Sequence, residues 1–284
     1  METTGFFCYY RVHLLGIRKG GFNMAKEYTY EQLLEIIEQL RGENGCPWDK
    51  VQTHMSLLPH LLEESYELIE AIKNEDNVNI KEELGDVLLQ VLMHAQIAKE
   101  EKDFTIEDVV SELAHKLVYR HPHVFQDLKG VDSPSKVLTT WEELKKIEKK
   151  EQSVTESMER VAKALPALIR AQKIQKKGAK VGFFWEDPVG IIEKIIEELQ
   201  EVKVAAKTGD MGQLEGEIGD LLFSVVNLST FFEVNPEFAL TKSVEKFINR
   251  FRYIENTAFL QGKELNTFSL EEMDKLWNEY KKLE

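Results

Sequence analysis

The residues of this chain best placed to do chemistry are carboxylates at fixed spacing. In LLEESYELIEAI (61–72) stand Glu63, Glu64 and Glu67; in IIEELQEVKVAA (195–206) stand Glu197, Glu198 and Glu201. A second acidic motif, Glu-x-Gly-Asp, follows each. It supplies Glu83 and Asp86 in EELGDVLLQVL, and Glu217 and Asp220 in GEIGDLLFSVV. In both places sixteen residues separate the last Glu of the first motif from the Glu of the second. Residues three or four apart share a helix face. Glu64 and Glu67 therefore project together, as do Glu83 and Asp86, with Glu63 at the edge. Glu198, Glu201, Glu217 and Asp220 repeat the arrangement, with Glu197 at the edge. On antiparallel neighbouring helices, four carboxylates converge. Among Leu and Val they repel and lose hydration, so a positive charge must compensate. An all-oxygen ligand set suits a hard cation, Mg²⁺ or alternatively Mn²⁺, rather than zinc. Mg²⁺ also keeps positions open for water and phosphate oxygens.

A lone Glu-Glu-x-x-Glu is most often a solvated helix face. Conjunction argues otherwise here: each Glu-x-Gly-Asp leads into an apolar run, where charge is expensive, and both motifs recur in order. Cations recur as well. Lys246 and Arg250 sit four apart, as do Trp277 and Lys281; Lys116 and Arg120, then Trp141 and Lys145, repeat this in the first half. Each pair alone reads as a surface stripe. Beside a metal cluster they read as a polyphosphate clamp: Arg as a bidentate partner, Lys as a point charge, Trp as a flat surface for base or sugar. Lys194, three residues before Glu197, can reach a metal-bound phosphate. His60 holds that place in the first half.

The elements that must position these groups are helices. Apolar residues recur at a period near 3.6 over 57–73, and the stretch 80–99 is apolar enough to predict a central, largely buried helix. The connectors at 74–77 and 208–210 are short, which gives antiparallel pairs. Gly (16) and Pro (7) are sparse, and no alternating strand pattern stands out. The expected fold is all-α: two tandem homologous modules of four to five helices, at 24–150 and 160–284, joined by a linker at 151–159, with a metal site between antiparallel helices. Residues 1–23 are expected to be a poorly ordered extension ahead of an alternative start at Met24.

Composition narrows the partners. The 284 residues are 43% hydrophobic, too apolar for disorder, and carry a formal charge of −14. That field does not attract a nucleic-acid polymer, so phosphates must be handled locally. The two cysteines, Cys8 and Cys46, cannot form a disulfide framework, which fits a reducing cytoplasm. No apolar run is long enough for a membrane span.

With these motifs assembled, the chain resembles the MazG family of the all-α nucleotide pyrophosphohydrolase superfamily, in its bacterial two-domain form. The marks are CPWDKVQTH (46–54), LLEESYE (61–67), EELGDVLLQV (82–91), YRHPHVF (119–125), RAQKIQKKGAKVGFFWED (170–187), EELQE (197–201), GEIGDLLF (216–223) and KFINRFRYIE (246–255). The resemblance implies hydrolysis of a nucleoside triphosphate to the monophosphate and pyrophosphate. It implies Mg²⁺ on Glu198, Glu201, Glu217 and Asp220, with Glu64, Glu67, Glu83 and Asp86 as the first module's copy. It implies nucleotide contacts from Lys194, Glu197, Lys246, Arg250, Trp277 and Lys281, and a homodimer with each site near the interface. Catalytic roles fall to Glu197, Glu198 and Glu201, with Glu197 orienting or deprotonating the attacking water.

The chain departs from the family pattern at Gly216, which interrupts an acidic triplet common among relatives, and at His60. The second module is therefore expected to hold the stronger site. Two other readings are a di-iron carboxylate oxidoreductase and a non-catalytic helical interaction protein. The first wants Glu-x-x-His twice, and only Glu112–His115 is well placed; His121 and His123, flanking Pro122, read as structural.

Overall fold

The computed structural model describes residues 27–126, 128–149 and 152–283, and all regular structure among them is helical. The expected extension at 1–23 lies outside the described residues. The chain divides into two compact units, Met1–Leu144 and Lys145–Glu284.

The first unit comprises α1 (Tyr30–Arg41), α2 (Pro47–Lys50), α3 (Leu58–Lys73), α4 (Asn77–Glu101), α5 (Ile106–Arg120), α6 (Pro122–Phe125) and α7 (Pro134–Lys149), which runs across the boundary. The second comprises α8 (Val154–Glu159), α9 (Ala167–Ala179), α10 (Pro188–Thr208), α11 (Met211–Phe231), α12 (Pro236–Leu260) and α13 (Leu270–Tyr280), with a 3₁₀ turn at Leu265–Thr267. Among the described residues each unit thus has five long helices plus short pieces. The stretch 151–159, read as a linker, contains α8. Ser153 caps it by accepting from the Glu156 amide, and Ser157 is buried. Its charged composition hid a short helix with one buried residue.

Two helical hairpins dominate the packing, α3 with α4 and α10 with α11. Their chemistry is local. Asp76 caps α4 by accepting from the Val78 and Asn79 amides, and Asp210 caps α11 by accepting from Gly212 and Gln213. The preceding residue turns left-handed in both: Gly209 has φ 75°, and Glu75 has φ 55°. α10 starts on Asp187, which accepts from Val189 and Gly190, with Pro188 next.

In unit 1, α1 lays Ile37 against Leu92, Met93 and Ile97 of α4, with Leu57 completing the core. Arg41 closes the rim, paired with Glu100 at 2.7 Å, while donating to the Asp49 and Gln52 carbonyls. The helix expected at 80–99 is buried mainly over its later turns. Leu84, Leu88 and Val91 are exposed, because α1 and α5 cover α4 only toward its C-terminal end. Ile218, Leu222 and Val225 of α11 are exposed in the same register.

Candidate metal centre

In each hairpin the structure brings together three of the four expected carboxylates. Glu64, Glu83 and Asp86 form one triad; Glu198, Glu201 and Glu217 form the other. Within each, ligand oxygens lie within 4.8 Å of one another. Glu67 stands outside the first triad and Asp220 outside the second. The two triads thus differ in membership, and the charges beside them differ as well.

On α10, Lys194 sits one turn before the acids. Its Nζ donates to Glu197 Oε1 and lies 2.8 Å from both Glu197 and Glu198. These bonds hold Lys194 well above the ordinary lysine range, the Glu197 bond contributing most. The same lysine pulls the buried Glu198 below the usual carboxylate range. Glu201 is pushed up, chiefly by its hydrogen bond with Glu198. Glu197 is exposed and engaged by Lys194 rather than by the triad. Lys194, expected to face phosphate, is thus tied to carboxylates.

On α3, His60 takes the lysine's place, with Nδ1 3.9 Å from Glu63. An imidazole, unlike an ammonium, is not a permanent cation. Glu64, buried at 6% exposure, is pushed up to about 7, mostly by burial and then by Asp86, Glu67, Glu83 and Glu63. Burial, with Glu82 next, also raises Asp86. One triad is offset by a cation and the other by a proton.

The clamp residues lie on other helices. Arg250 of α12 stacks over Trp277 of α13 at 5.1 Å, and Phe247 packs on the same ring. Arg120 of α5 stacks over Trp141 of α7 at 5.2 Å. The cation–aromatic pair is therefore a second shared feature of the units. Lys246 and Lys281 are exposed, Lys116 pairs with Glu112 at 2.9 Å, and Lys145 is half-buried. α12 packs on α9, α11 and α13, while α10 pairs with α11. His115 of the di-iron alternative is exposed and Glu112 is taken by Lys116, so that motif joins neither triad. His121 donates from Nδ1 to the Leu117 carbonyl at 2.7 Å, a helix-end role.

Sequence reasoning passed over several buried polar residues. Gln90, one turn beyond Asp86, is 1% exposed, and its Oε1 has no hydrogen-bond partner among the described residues. His54 and His94 stack with their Nδ1 atoms 2.7 Å apart; burial, then His54, holds His94 low. Gln172 and Gln175 of α9 are buried against unit 2. The available signal was spacing: Gln90 falls on the Asp86 face, and Gln172 and Gln175 share a face of α9.

Comparison with known proteins agrees with this duplicated geometry. The family model described as the MazG nucleotide pyrophosphohydrolase domain matches residues 52–125 and again 187–255. The nucleoside triphosphate pyrophosphohydrolase/pyrophosphatase MazG of Thermotoga maritima is 48% identical over 89% of this chain and 95% of its own length. The nucleoside triphosphate pyrophosphohydrolase of Escherichia coli K12 is 42% identical over 89% of this chain and 97% of its own. The uncharacterized protein YabN of Bacillus subtilis is 51% identical over 90% of this chain, which spans 52% of that protein.

Proposed function

The chain belongs to the MazG nucleotide pyrophosphohydrolase family, and on that basis we propose that it hydrolyses nucleoside triphosphates to the monophosphate and pyrophosphate, using Mg²⁺, with broad base tolerance. The observation that carries the reading is the recurrence, on matched hairpins, of a carboxylate triad with oxygens within 4.8 Å.

The residues present fit a hard divalent cation. Every donor is a carboxylate oxygen, and the clusters are electrostatically uncomfortable without a cation, as the raised Glu64 and Glu201 testify. In the second unit Glu198, Glu201 and Glu217 would hold it, with Asp220, the fourth carboxylate of the paired motifs, as a further ligand. When bound, Mg²⁺ supplies charge neutralisation at phosphate oxygens and a more acidic water; Mn²⁺ can serve alike. Glu197, exposed beside the triad, orients the water that attacks at the α–β linkage and accepts its proton. Lys194, beside Glu197 and Glu198, would contact the polyphosphate. Lys246, Arg250 and Lys281 hold its outer oxygens. Trp277 offers a face that accepts any base. In the first unit Glu64, Glu67, Glu83 and Asp86, with Lys116, Arg120, Trp141 and Lys145, form a weaker copy.

We also place the protein in the cytoplasm as a homodimer. The exposed faces Leu84–Leu88–Val91 and Ile218–Leu222–Val225 support self-association: a second copy would cover apolar surface left bare in both repeats. Among the described residues no helix is long and apolar enough to cross a membrane.

The test is a panel of nucleoside, deoxynucleoside and modified triphosphates with Mg²⁺, scored for pyrophosphate against phosphate release. Pyrophosphate from several bases supports the reading. Phosphate alone, or turnover unchanged in EDTA, overturns it. E197Q with near-normal turnover removes the role given to Glu197.

A further inference from the structure

We infer that Gln175 is a positioning residue for the second carboxylate cluster, its buried amide fixing α11 so that Glu217 meets Glu198 and Glu201. The inference rests on the metal-site reading proposed above. Gln175 is 9% exposed, and both ends of its amide are engaged. Nε2 donates to the Phe223 carbonyl at 2.8 Å. Oε1 lies 3.1 Å from the Thr230 hydroxyl, which also reaches the Val226 carbonyl at 2.9 Å. One side chain of α9 therefore grips α11 at two points about two turns apart.

Placement gives the contact its meaning. The Phe223 carbonyl lies one turn beyond Asp220 and six residues beyond Glu217, about 9 Å of helix rise. A carbonyl oxygen has two lone pairs, so it can take the glutamine amide alongside its own helical bond. α10 and α11 face each other across like charges, a contact that favours sliding or rolling apart. Apolar packing resists this weakly because it has no direction. A buried amide resists it strongly, because any roll of α11 leaves donor and acceptor unpaired out of water.

Two comparisons sharpen the role. Gln172, one turn earlier on α9, donates to the Val234 carbonyl at 2.8 Å, beyond the end of α11. It ties the same elements together without gripping the carboxylate helix itself. In unit 1 the equivalent contact of α1 with α4 runs through Ile37, Leu92, Met93 and Ile97, with ion pairs Arg41–Glu100 and Glu38–Lys99 at the rim. The second cluster is registered by directional bonds; the first leans on apolar packing.

The experiment uses the full chain carrying E64A and E83A, so that only the second cluster reports. Mg²⁺ is titrated calorimetrically without nucleotide, and thermal unfolding and pyrophosphate release are followed in parallel. Gln175→Met and Gln172→Met are expected to lower Tm alike. Only Gln175→Met should weaken Mg²⁺ binding, by roughly tenfold, while Gln172→Met changes it by less than about twofold. Thr230→Val, a milder change, should fall between and keeps the test alive if Gln175→Met does not fold. Unchanged Mg²⁺ affinity in both Gln175→Met and Thr230→Val, or equal losses in the two methionine variants, overturns the inference. Glu201→Ala in the same background separates the two readings. If it keeps Mg²⁺ binding and hydrolysis, the metal-site reading fails. If it abolishes both while Gln175→Met changes nothing, only the role of Gln175 fails.

Discussion

The hairpins α3–α4 and α10–α11 carry the same acids at the same spacing, yet they settle their charge in opposite ways. α10 places Lys194 within 2.8 Å of Glu197 and Glu198, and Glu198 stays ionised. α3 places His60 there, and Glu64 rises to about 7. Lys194 on one side, and burial among crowded acids on the other, thus set whether a buried carboxylate is balanced by a resident cation or by a proton. A cation-balanced site is ionised before metal arrives. A proton-balanced site must release its proton first, so its metal affinity falls more steeply with acid.

The largest expected effect tests whether the two sites are unequal. E201A or D220A should lower pyrophosphate release by about a hundredfold or more, the loss of several kcal/mol of transition-state charge stabilisation. E67A or D86A should leave most of it. The reverse ranking would move the principal site to the first unit.

Exchanging the leading residues sharpens the cause. K194H removes the bond that most lowers Glu198, so acid should cost the variant more activity than it costs the parent, read as a steeper loss on the acid side of the pH profile. H60K should restore an ionised Glu64, read from its side-chain carboxyl resonance during an NMR titration. No movement of that resonance would mean that burial alone sets it.

The pH dependence of stability follows with a definite sign. In the metal-free fold Glu64 titrates at about 7, against an ordinary 4.5. Its protonated form is the favoured one, so its contribution to stability is complete below 4.5 and is lost as pH rises through 7. In EDTA, Tm of the first unit should fall across that window. E64Q should flatten the fall, and Mg²⁺ should reverse it. A Tm that climbs over the same window would break the comparison.

The smallest effect concerns the connectors. Glu75 holds the left-handed conformation that Gly209 holds in the other hairpin. E75G should stabilise unit 1 by about 1 kcal/mol, seen as a rise in Tm of a few degrees. A fall would show that Glu75 makes a compensating contact.

Much of this was legible in the sequence. The spacing of Glu67 to Glu83 and of Glu201 to Glu217 gave the hairpins, because helix faces and short connectors leave few other arrangements. The Arg–Trp pairs were legible as matched positions. What spacing could not give was the third dimension of charge. That Asp86 joins its triad while Asp220 does not is a matter of side-chain placement that spacing does not encode. That Lys194 is already engaged depends on a contact three and four residues along its own helix, which reads equally well as a free cation. Buried glutamines escaped because amides usually mark surface. Gln175 is buried only because a main-chain carbonyl on α11 receives it, and no periodicity announces that partner. The exposed stripe on α4 escaped for the opposite reason, since apolar residues read as core whether or not a helix among the described residues covers them.

The shortness of the connectors has a consequence for assembly. The oxygens that meet in each triad belong to residues close together along the chain, joined by a loop of a few residues. Closing so small a loop is among the fastest events available to a polypeptide. Each cluster can therefore gather as a hairpin before the remaining helices of its unit dock. At that moment the gathered acids oppose their own closure. A divalent cation encountered early would act as a template for folding as well as a participant in chemistry. Refolding rates should then climb with Mg²⁺ concentration before any nucleotide is added.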